Sequence, residues 1–442
     1  MHIERQDRIF AEILADRIGR GIEIKVDSVV PAMRDFLARN PGIIERLKAE
    51  PKRTTPTTPP PSPSRAAPPQ PKHDQSWWMK WAAKTFGPML WREIHNWPTG
   101  NDPANVKQLI ESIRRKLPCG DCKNHFDAMV RTMPPCTANK LCLAFTTWEW
   151  HNKVNREKEN PSAQMTWEDA AKIYDWDKLN PDRSLAFWNY SDGQHAKMTN
   201  ALIKSLRRNG VANDFLCWSP EPIPAATKNH KLSLSAGDKF PLYGFKFKLL
   251  KEQVAQLDYE YFCWLDADNY CVRNPGNLLD LMRGDPVHAF LESDCTNPKC
   301  KRADWWKMPL PEYVKLMHEM GVGSERVWNT NAGFFIVKRD AIPEFCDLAD
   351  AFWKEAAKRG TRFTEEAPLA YATMMMVKDP DRHTQRRGFD VWASDWTGGY
   401  SNRLPDGSGF DFEDYMSGEK TKCNPAVIHL MRGDAVLAKA GE

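Results

Sequence analysis

The sequence predicts a multidomain chain: an all-α helical bundle followed by an α/β domain, with a small helical unit and a proline-rich linker in front. Three observations predict it. Apolar residues recur at helical spacing over about 77–177, with few strand-like runs. Near residue 184 the texture changes to short apolar strands alternating with helical stretches, the signature of an α/β domain. Proline dominates 51–72. The expected organisation is therefore 1–50 helical unit, 51–76 linker, 77–178 helical bundle and 182–442 α/β domain.

Residues 8–18 place Ile9, Phe10, Ile13, Leu14 and Ile18 at helical spacing, and 29–37 repeat the pattern with Val29, Val30, Met33, Phe36 and Leu37. Such a unit buries too little to be robust alone, so docking or self-association is expected. In "PKRTTPTTPPPSPSRAAPPQPK", proline removes amide donors and fixes φ, which makes an extended spacer. Residues 103–117 carry Val106, Leu109, Ile110, Ile113 and Leu117 on one face behind a proline. Further helices are predicted over 138–157 and from Thr166, whose Glu168 and Asp169 suit a first turn. After 184, "SLAFWNY" and "DFLCWS" read as strands and "AKMTNALIKSLRRNG" as the helix between them.

Composition narrows the function. The 442 residues carry a net charge of only +4, which argues for neither nucleic acid nor an anionic membrane as partner. No apolar run reaches the roughly 18 residues of a membrane span. The N-terminus, "MHIERQDRIFAEILADRIGR", lacks the apolar core of a signal peptide. A cytoplasmic location is expected, a host's cytoplasm if the chain is viral. Eleven cysteines, an odd number, do not resemble a secreted disulfide framework.

"LPCGDCKNHF" places Cys119 and Cys122 two residues apart. Zinc would need two more ligands, for which His125, Cys136, Cys142 and His151 are candidates. Inert buried thiols sit poorly with Pro118 before the pair and Gly120 inside it. A redox pair at a helix N-terminus, where free amides stabilise thiolate, has the physics on its side. The flanks add "FGPMLWREIHNW" at 86–97 and "TTWEWHNKVNREKENP" at 146–161. Together, G-x-x-x-W-x-x-I-H, P-C-x-x-C-x-x-H-F and W-x-W-H-N-x-V-N resemble the Erv/ALR family of FAD-dependent sulfhydryl oxidases over about 80–165.

That resemblance implies a helical bundle holding FAD, with Cys122 beside the flavin and Cys119 exchanging with an incoming dithiol protein or small thiol. It places Trp91, His95, His151, Asn152 and Asn155 around the FAD, and it implies O2 as electron acceptor, with peroxide and a disulfide as products. The family's lysine after H-N-x-V-N is replaced by Asn160, with Lys158 near. No second, shuttle cysteine pair is evident. Cys136 and Cys142 lie close enough to pair or to remain free. Family members are often dimers, so a homodimer is an expected arrangement.

A second motif lies in "YFCWLDADNYCVRNP", where an apolar strand runs into Asp266-Ala267-Asp268. Carboxylates at i, i+2 at a strand end point the same way and can share one divalent ion. Mg²⁺ or Mn²⁺ there would neutralise a diphosphate leaving group. An N-cap or a fragment of a Ca²⁺ loop is the plainer reading. The order "FWNYSDG", a basic helix with Lys246 and Lys248, Asp-x-Asp, "WNTNAGFFIVKRD", "TEEAPLAYATM" and "AVIHLMRGD" resembles GT-A glycosyltransferases, whose sheet is Rossmann-like and mixed. The resemblance implies a nucleotide-sugar donor, a UDP-sugar first of all, and a protein or glycan acceptor. It implies Asp266 on the ribose and metal, Asp268 and His429 on the metal, and Asn331 and Gly333 on the acceptor side. Glu365 or Glu366 would stand near the reacting sugar, although each also suits a helix N-terminus beside Pro368. Cys295 and Cys300 could form a local disulfide or serve the oxidase as substrate.

The sequence thus predicts a bifunctional protein, thiol oxidase and glycosyltransferase in one chain. Its alternative is a glycosyltransferase whose CxxC module is a zinc-stapled or inactive FAD-binding adaptor.

Overall fold

A computed structural model describes residues 75–117, 120–157, 164–179, 184–232, 242–306, 308–361, 364–395 and 410–430. The chain divides into two units, Met1–His73 and Asp74–Glu442. The expected helical unit at 1–50 and nearly all of the expected linker lie outside the described residues, as do Cys119 and Lys158.

The second unit opens with helices. Helix α1 (Gln75–Gly100) leads to Asp102, whose side chain accepts from Ala104 N and starts a 3-10 turn at Pro103–Asn105. Helix α2 (Val106–Lys116) buries Val106, Leu109 and Ile113, as the spacing predicts, and closes on Arg114, Arg115 and Lys116, cations suited to the negative end of the dipole. Helix α3 (Gly120–Thr132) carries Cys122 in its first turn. Helix α4 (Lys140–Glu157) and helix α5 (Trp167–Tyr174) complete the set, and Thr166 caps α5 by accepting from Asp169 N. Ile94, Leu109, Ile113, Phe126, Met129, Leu143 and Trp150 fill the space between α1, α2, α3 and α4.

The α/β part continues with β1 (Leu185–Tyr190), α6 (Gly193–Arg208), β2 (Asp214–Ser219), β3 (Lys228–Lys231), α7 (Leu242–Glu252), β4 (Tyr261–Leu265), β5 (Asn269–Cys271) and β6 (Val287–Asp294). A small hairpin, β7 (Asp304–Trp305) with β8 (Met308–Pro309), precedes α8 (Leu310–Glu319) and β9 (Trp328–Lys338). Then come α9 (Ile342–Lys358), α10 (Glu366–Met376), β10 (Trp392–Ser394), β11 (Phe410–Glu413), β12 (Lys420–Cys423) and β13 (Val427–His429).

Six strands form one sheet in the order β3-β2-β1-β4-β9-β6. The first four run parallel and β9 runs antiparallel to both neighbours. Strand periodicity sends successive residues to opposite faces. Leu185 and Phe187 enter one core, with Phe215, Leu202, Leu206 and Ile336. Ala186 and Trp188 enter the other, with Trp218, Trp264, Phe335, Phe345 and Leu369.

The first of these cores also contains Leu141, Phe145 and Trp148 of α4, Trp167 of α5, and Trp176. The helical segment is therefore packed onto the sheet side of α6. Polar contacts fix the seam: Arg208 donates to Glu149 at 2.9 and 3.3 Å, Asn139 Nδ2 to the Gly210 carbonyl at 2.8 Å, and Trp167 N to the Pro224 carbonyl at 2.6 Å. Helix α4 is buried all the way from Leu141 to Trp150 because one side faces the bundle and the other the α/β part.

A three-stranded sheet, β10-β13-β5, lies beyond the main sheet. Its antiparallel β13–β5 pairing sets His429 opposite Asn269, one residue after Asp268.

Candidate functional site

Two clusters of chemically competent side chains stand out. The first lies between α1 and α4, where Trp91, His95 and His151 come together. The Trp91 and His151 rings stack at 4.4 Å between centroids and 10° between planes. His95 Nε2 and His151 Nδ1 share a hydrogen bond at 2.9 Å, and His95 Nδ1 reaches Thr147 Oγ1 at 3.2 Å. Tyr174 lies 4.6 Å from His95, and Trp176 Nε1 donates to the His95 carbonyl at 3.0 Å. Burial, with His151 beside it, pushes His95 down to about 3, and burial pushes His151 to about 4. Both rings are therefore neutral at physiological pH. Flat aromatic faces and neutral imidazoles suit the stacking and hydrogen bonding that a flavin nucleotide needs.

The other residues expected around FAD fare differently. Asn155 is partly buried on the same helix, one turn after His151. The Asn152 side-chain amide donates to the Met165 carbonyl at 2.8 Å and accepts from Met165 N at 3.0 Å. It ties α4 to the start of α5. Cys122 is disulfide-bonded. Cys136 and Cys142, left open by the sequence, form a disulfide across a separation of 6 residues. That removes two of the zinc candidates, and His125 is exposed. Cys295 and Cys300 are free thiols, so the local disulfide considered for that loop is absent.

Residues 89–176 match the Erv1 / Alr family. The matched span runs from α1 through the turn that follows α5 and contains every member of the ring cluster. The match supports an Erv/ALR sulfhydryl-oxidase domain in this part of the chain; the chemistry the family implies is FAD-linked oxidation of a thiol substrate by O2. No curated protein matches the chain. No described helix is long and apolar enough to cross a membrane.

The second cluster lies at the end of β4. Among the described residues, Asp266, Asp268 and His429 are the one group able to hold a metal ion, their ligand atoms all within 4.8 Å of one another. The backbone explains the convergence. Asp266 N donates to the Gly333 carbonyl at 3.0 Å, and Leu430 N donates to the Asp268 carbonyl at 2.8 Å. His429 Nε2 lies 3.0 Å from Asp268 Oδ1 and 3.8 Å from Asp266 Oδ2. Burial works against a charge on His429, but Asp268, Asp266 and Glu292 outweigh it and raise it to about 9.

Asn331 and Gly333, expected on the acceptor side, lie against the His429 ring of this cluster. Asn331 Oδ1 accepts from Gly333 N at 2.8 Å. A Cβ on Gly333 would lie 2.8 Å from the His429 ring and 2.9 Å from Asn331 Oδ1. Glycine is needed here for close approach.

Glu365 and Glu366 stand at the start of α10, and Lys246 ties Glu365 to the cluster. Lys246, 6% exposed, joins Glu365 at 3.2 Å to Asp266 at 3.4 Å and also donates to the Ala332 carbonyl. Burial opposes its charge, but Asp266 and Glu365 raise it above the usual lysine range. Trp264 Nε1 donates to Asp266 Oδ1 at 2.5 Å. Burial, reinforced by Glu365 and Glu292, raises Glu366 to about 8.

In the sequence Lys246 reads only as part of a basic helix, and neither Glu292 nor Trp306 stands out. Glu292 had a usable signal: it is a carboxylate inside the apolar run "VHAFLESD". Burial raises it to about 8.

Proposed function

We propose that the chain joins an FAD-dependent thiol oxidase, centred on the segment matched by the Erv1 / Alr family, to a metal-dependent transferase of sugar from a nucleotide-sugar. The observation that carries the oxidase is the Trp91–His95–His151 cluster, assembled from α1 and α4 inside the matched segment. Its donor set fits the flavin, and Asn155 shares the His151 face.

Cys119 and Cys122 are the proposed redox pair. One thiolate of the incoming dithiol attacks Cys119, and Cys122 leaves as a thiolate stabilised by the first-turn amides of α3. The second substrate thiolate then releases the oxidised substrate and leaves both cysteines reduced. Bound FAD supplies the two-electron acceptor that restores the pair and passes the electrons to O2. The neutral His95–His151 pair shapes the ring pocket without placing a charge beside it. Oxygen uptake with dithiothreitol tests the scheme. Cys122→Ser is expected to lower the rate at least 100-fold, on the order seen when a covalent nucleophile is removed, while flavin absorbance stays. An unchanged rate would sink the assignment.

The transferase reading rests on a separate observation, the Asp266–Asp268–His429 cluster at the end of a mixed sheet. Strands of an open α/β sheet place ligands at their carboxyl ends, and this is where the cluster lies. Asp268 and His429 would hold Mn²⁺ or Mg²⁺ with Asp266, and the cation would stabilise the departing diphosphate. Lys246 would hold Asp266 and Glu365 in place. Mn²⁺-dependent hydrolysis of UDP-sugars, abolished in Asp268→Asn, is the expected result. A chain that neither binds Mn²⁺ nor turns over any UDP-sugar would remove this half.

A further inference from the structure

We propose that Glu292, Glu366 and Trp306 form a sugar-binding subsite beside the Asp266–Asp268–His429 cluster, and that its ligand is a pyranose ring of a glycan acceptor. The acceptor role rests on the transferase reading above. The subsite itself rests on three features.

The first is Glu292. It stands in β6, buried from Val287 to Ser293, and is itself 7% exposed. Its Oε1 has no hydrogen-bond partner among the described residues. Burying a carboxyl oxygen without a partner is costly. A ligand hydroxyl is the kind of donor that would satisfy it.

The second is Trp306, the opposite case. It is a large apolar ring left 42% exposed. It follows β7, and its φ of +50° is a left-handed conformation that bulky residues rarely adopt. Its neighbour Trp305 is buried against Tyr313, with ring centroids 5.0 Å apart, which anchors the segment.

The third is the link between them. Trp306 Nε1 donates to Glu366 Oε2 at 2.5 Å. Glu366 opens α10, and α10 packs against β6, the strand that carries Glu292. An open indole is thus joined to one carboxyl group, and the second stands on the strand packed against that helix.

A pyranose presents a C–H-rich face that packs on an aromatic ring and a rim of hydroxyls that pair with carboxylates. A serine or tyrosine hydroxyl on a protein would need no such aromatic platform. The chemistry therefore points to a glycan.

The test is saturation-transfer NMR on the full chain with methyl glucoside, galactoside and mannoside. At least one glycoside is expected to show transfer through its C–H protons. Trp306→Ala is expected to weaken its binding about tenfold, the order of magnitude of one stacking contact, and Trp306→Phe to restore part of it. Glu292→Gln, close to isosteric, is expected to weaken glycoside binding. No transfer from any glycoside, or equal binding by Trp306→Ala, would overturn the proposal.

Mn²⁺-dependent UDP-sugar hydrolysis is read separately. A rise in the donor KM in Trp306→Ala would assign the indole to the donor and overturn the acceptor subsite. Glycoside binding in a parent chain that hydrolyses no nucleotide-sugar would remove the transferase reading and leave the sugar site standing.

Discussion

At the scale of single residues, the two clusters differ in how they are held. The Asp266–Asp268–His429 group depends on a glycine. In Gly333→Ala the new methyl would meet the His429 ring at 2.8 Å. Overpacking of this kind costs about 1–3 kcal/mol. The expected outcome is a lower melting temperature and weaker Mn²⁺ binding by calorimetry, and unchanged binding would show that the ring can yield. The His95–His151 pair depends on staying neutral. Both imidazoles fall from an ordinary 6.5 to about 3 and about 4. The unfolded chain therefore takes protons first as pH drops, so their stabilisation is complete above about 6.5 and is lost toward pH 4 and below. The melting temperature should fall between pH 7 and pH 4.5, and His95→Gln should flatten that slope. An equal slope in the variant would contradict the neutral pair. Asp266 and Asp268 were legible because a strand runs directly into them, and the ring residues because three motifs follow in order. Lys246 and Trp306 were not, because their partners lie far along the chain: Lys246 meets Glu365 across 119 residues and Trp306 meets Glu366 across 60.

At the scale of elements, period and capping read well. The faces of α2 and β1 and the Thr166 cap follow from spacing alone. The basic helix with Lys246 and Lys248 is α7, which ends at Glu252 and passes into a 3-10 turn, Val254–Gln256. Gln253, just past its end, accepts from Trp218 Nε1 at 2.8 Å. That tertiary bond belongs to a neighbouring strand and has no local signal. The seam between α4 and α6 also turns on one small residue. Gly210 has φ +78°, and a Cβ there would lie 2.7 Å from Ala138 Cβ. Gly210→Ala combines a strained φ with a clash, so a loss of about 1–3 kcal/mol is expected in chemical denaturation. A neutral result would mean the seam tolerates displacement.

At the scale of the molecule, the sequence marks a change of texture between 178 and 184, and the structure shows what that change does not reveal. Trp148, Trp167 and Trp176 share a core with Phe187 and Phe215 across it. The apolar run "LCLAFTTWEW" was a hint, since a helix hydrophobic on all sides must be covered on all sides. Residues 74–442 should unfold in one calorimetric transition, and a fragment ending at 180 should aggregate with its tryptophans exposed. A soluble fragment with native tryptophan emission would contradict a shared core.

The central claim is the oxidase, and a visible absorption spectrum of the full chain tests it most directly. A flavin band that bleaches with dithiothreitol under nitrogen and returns in air, with peroxide formed, is the predicted result. A colourless protein, or a flavin that stays oxidised with dithiol present, would contradict it.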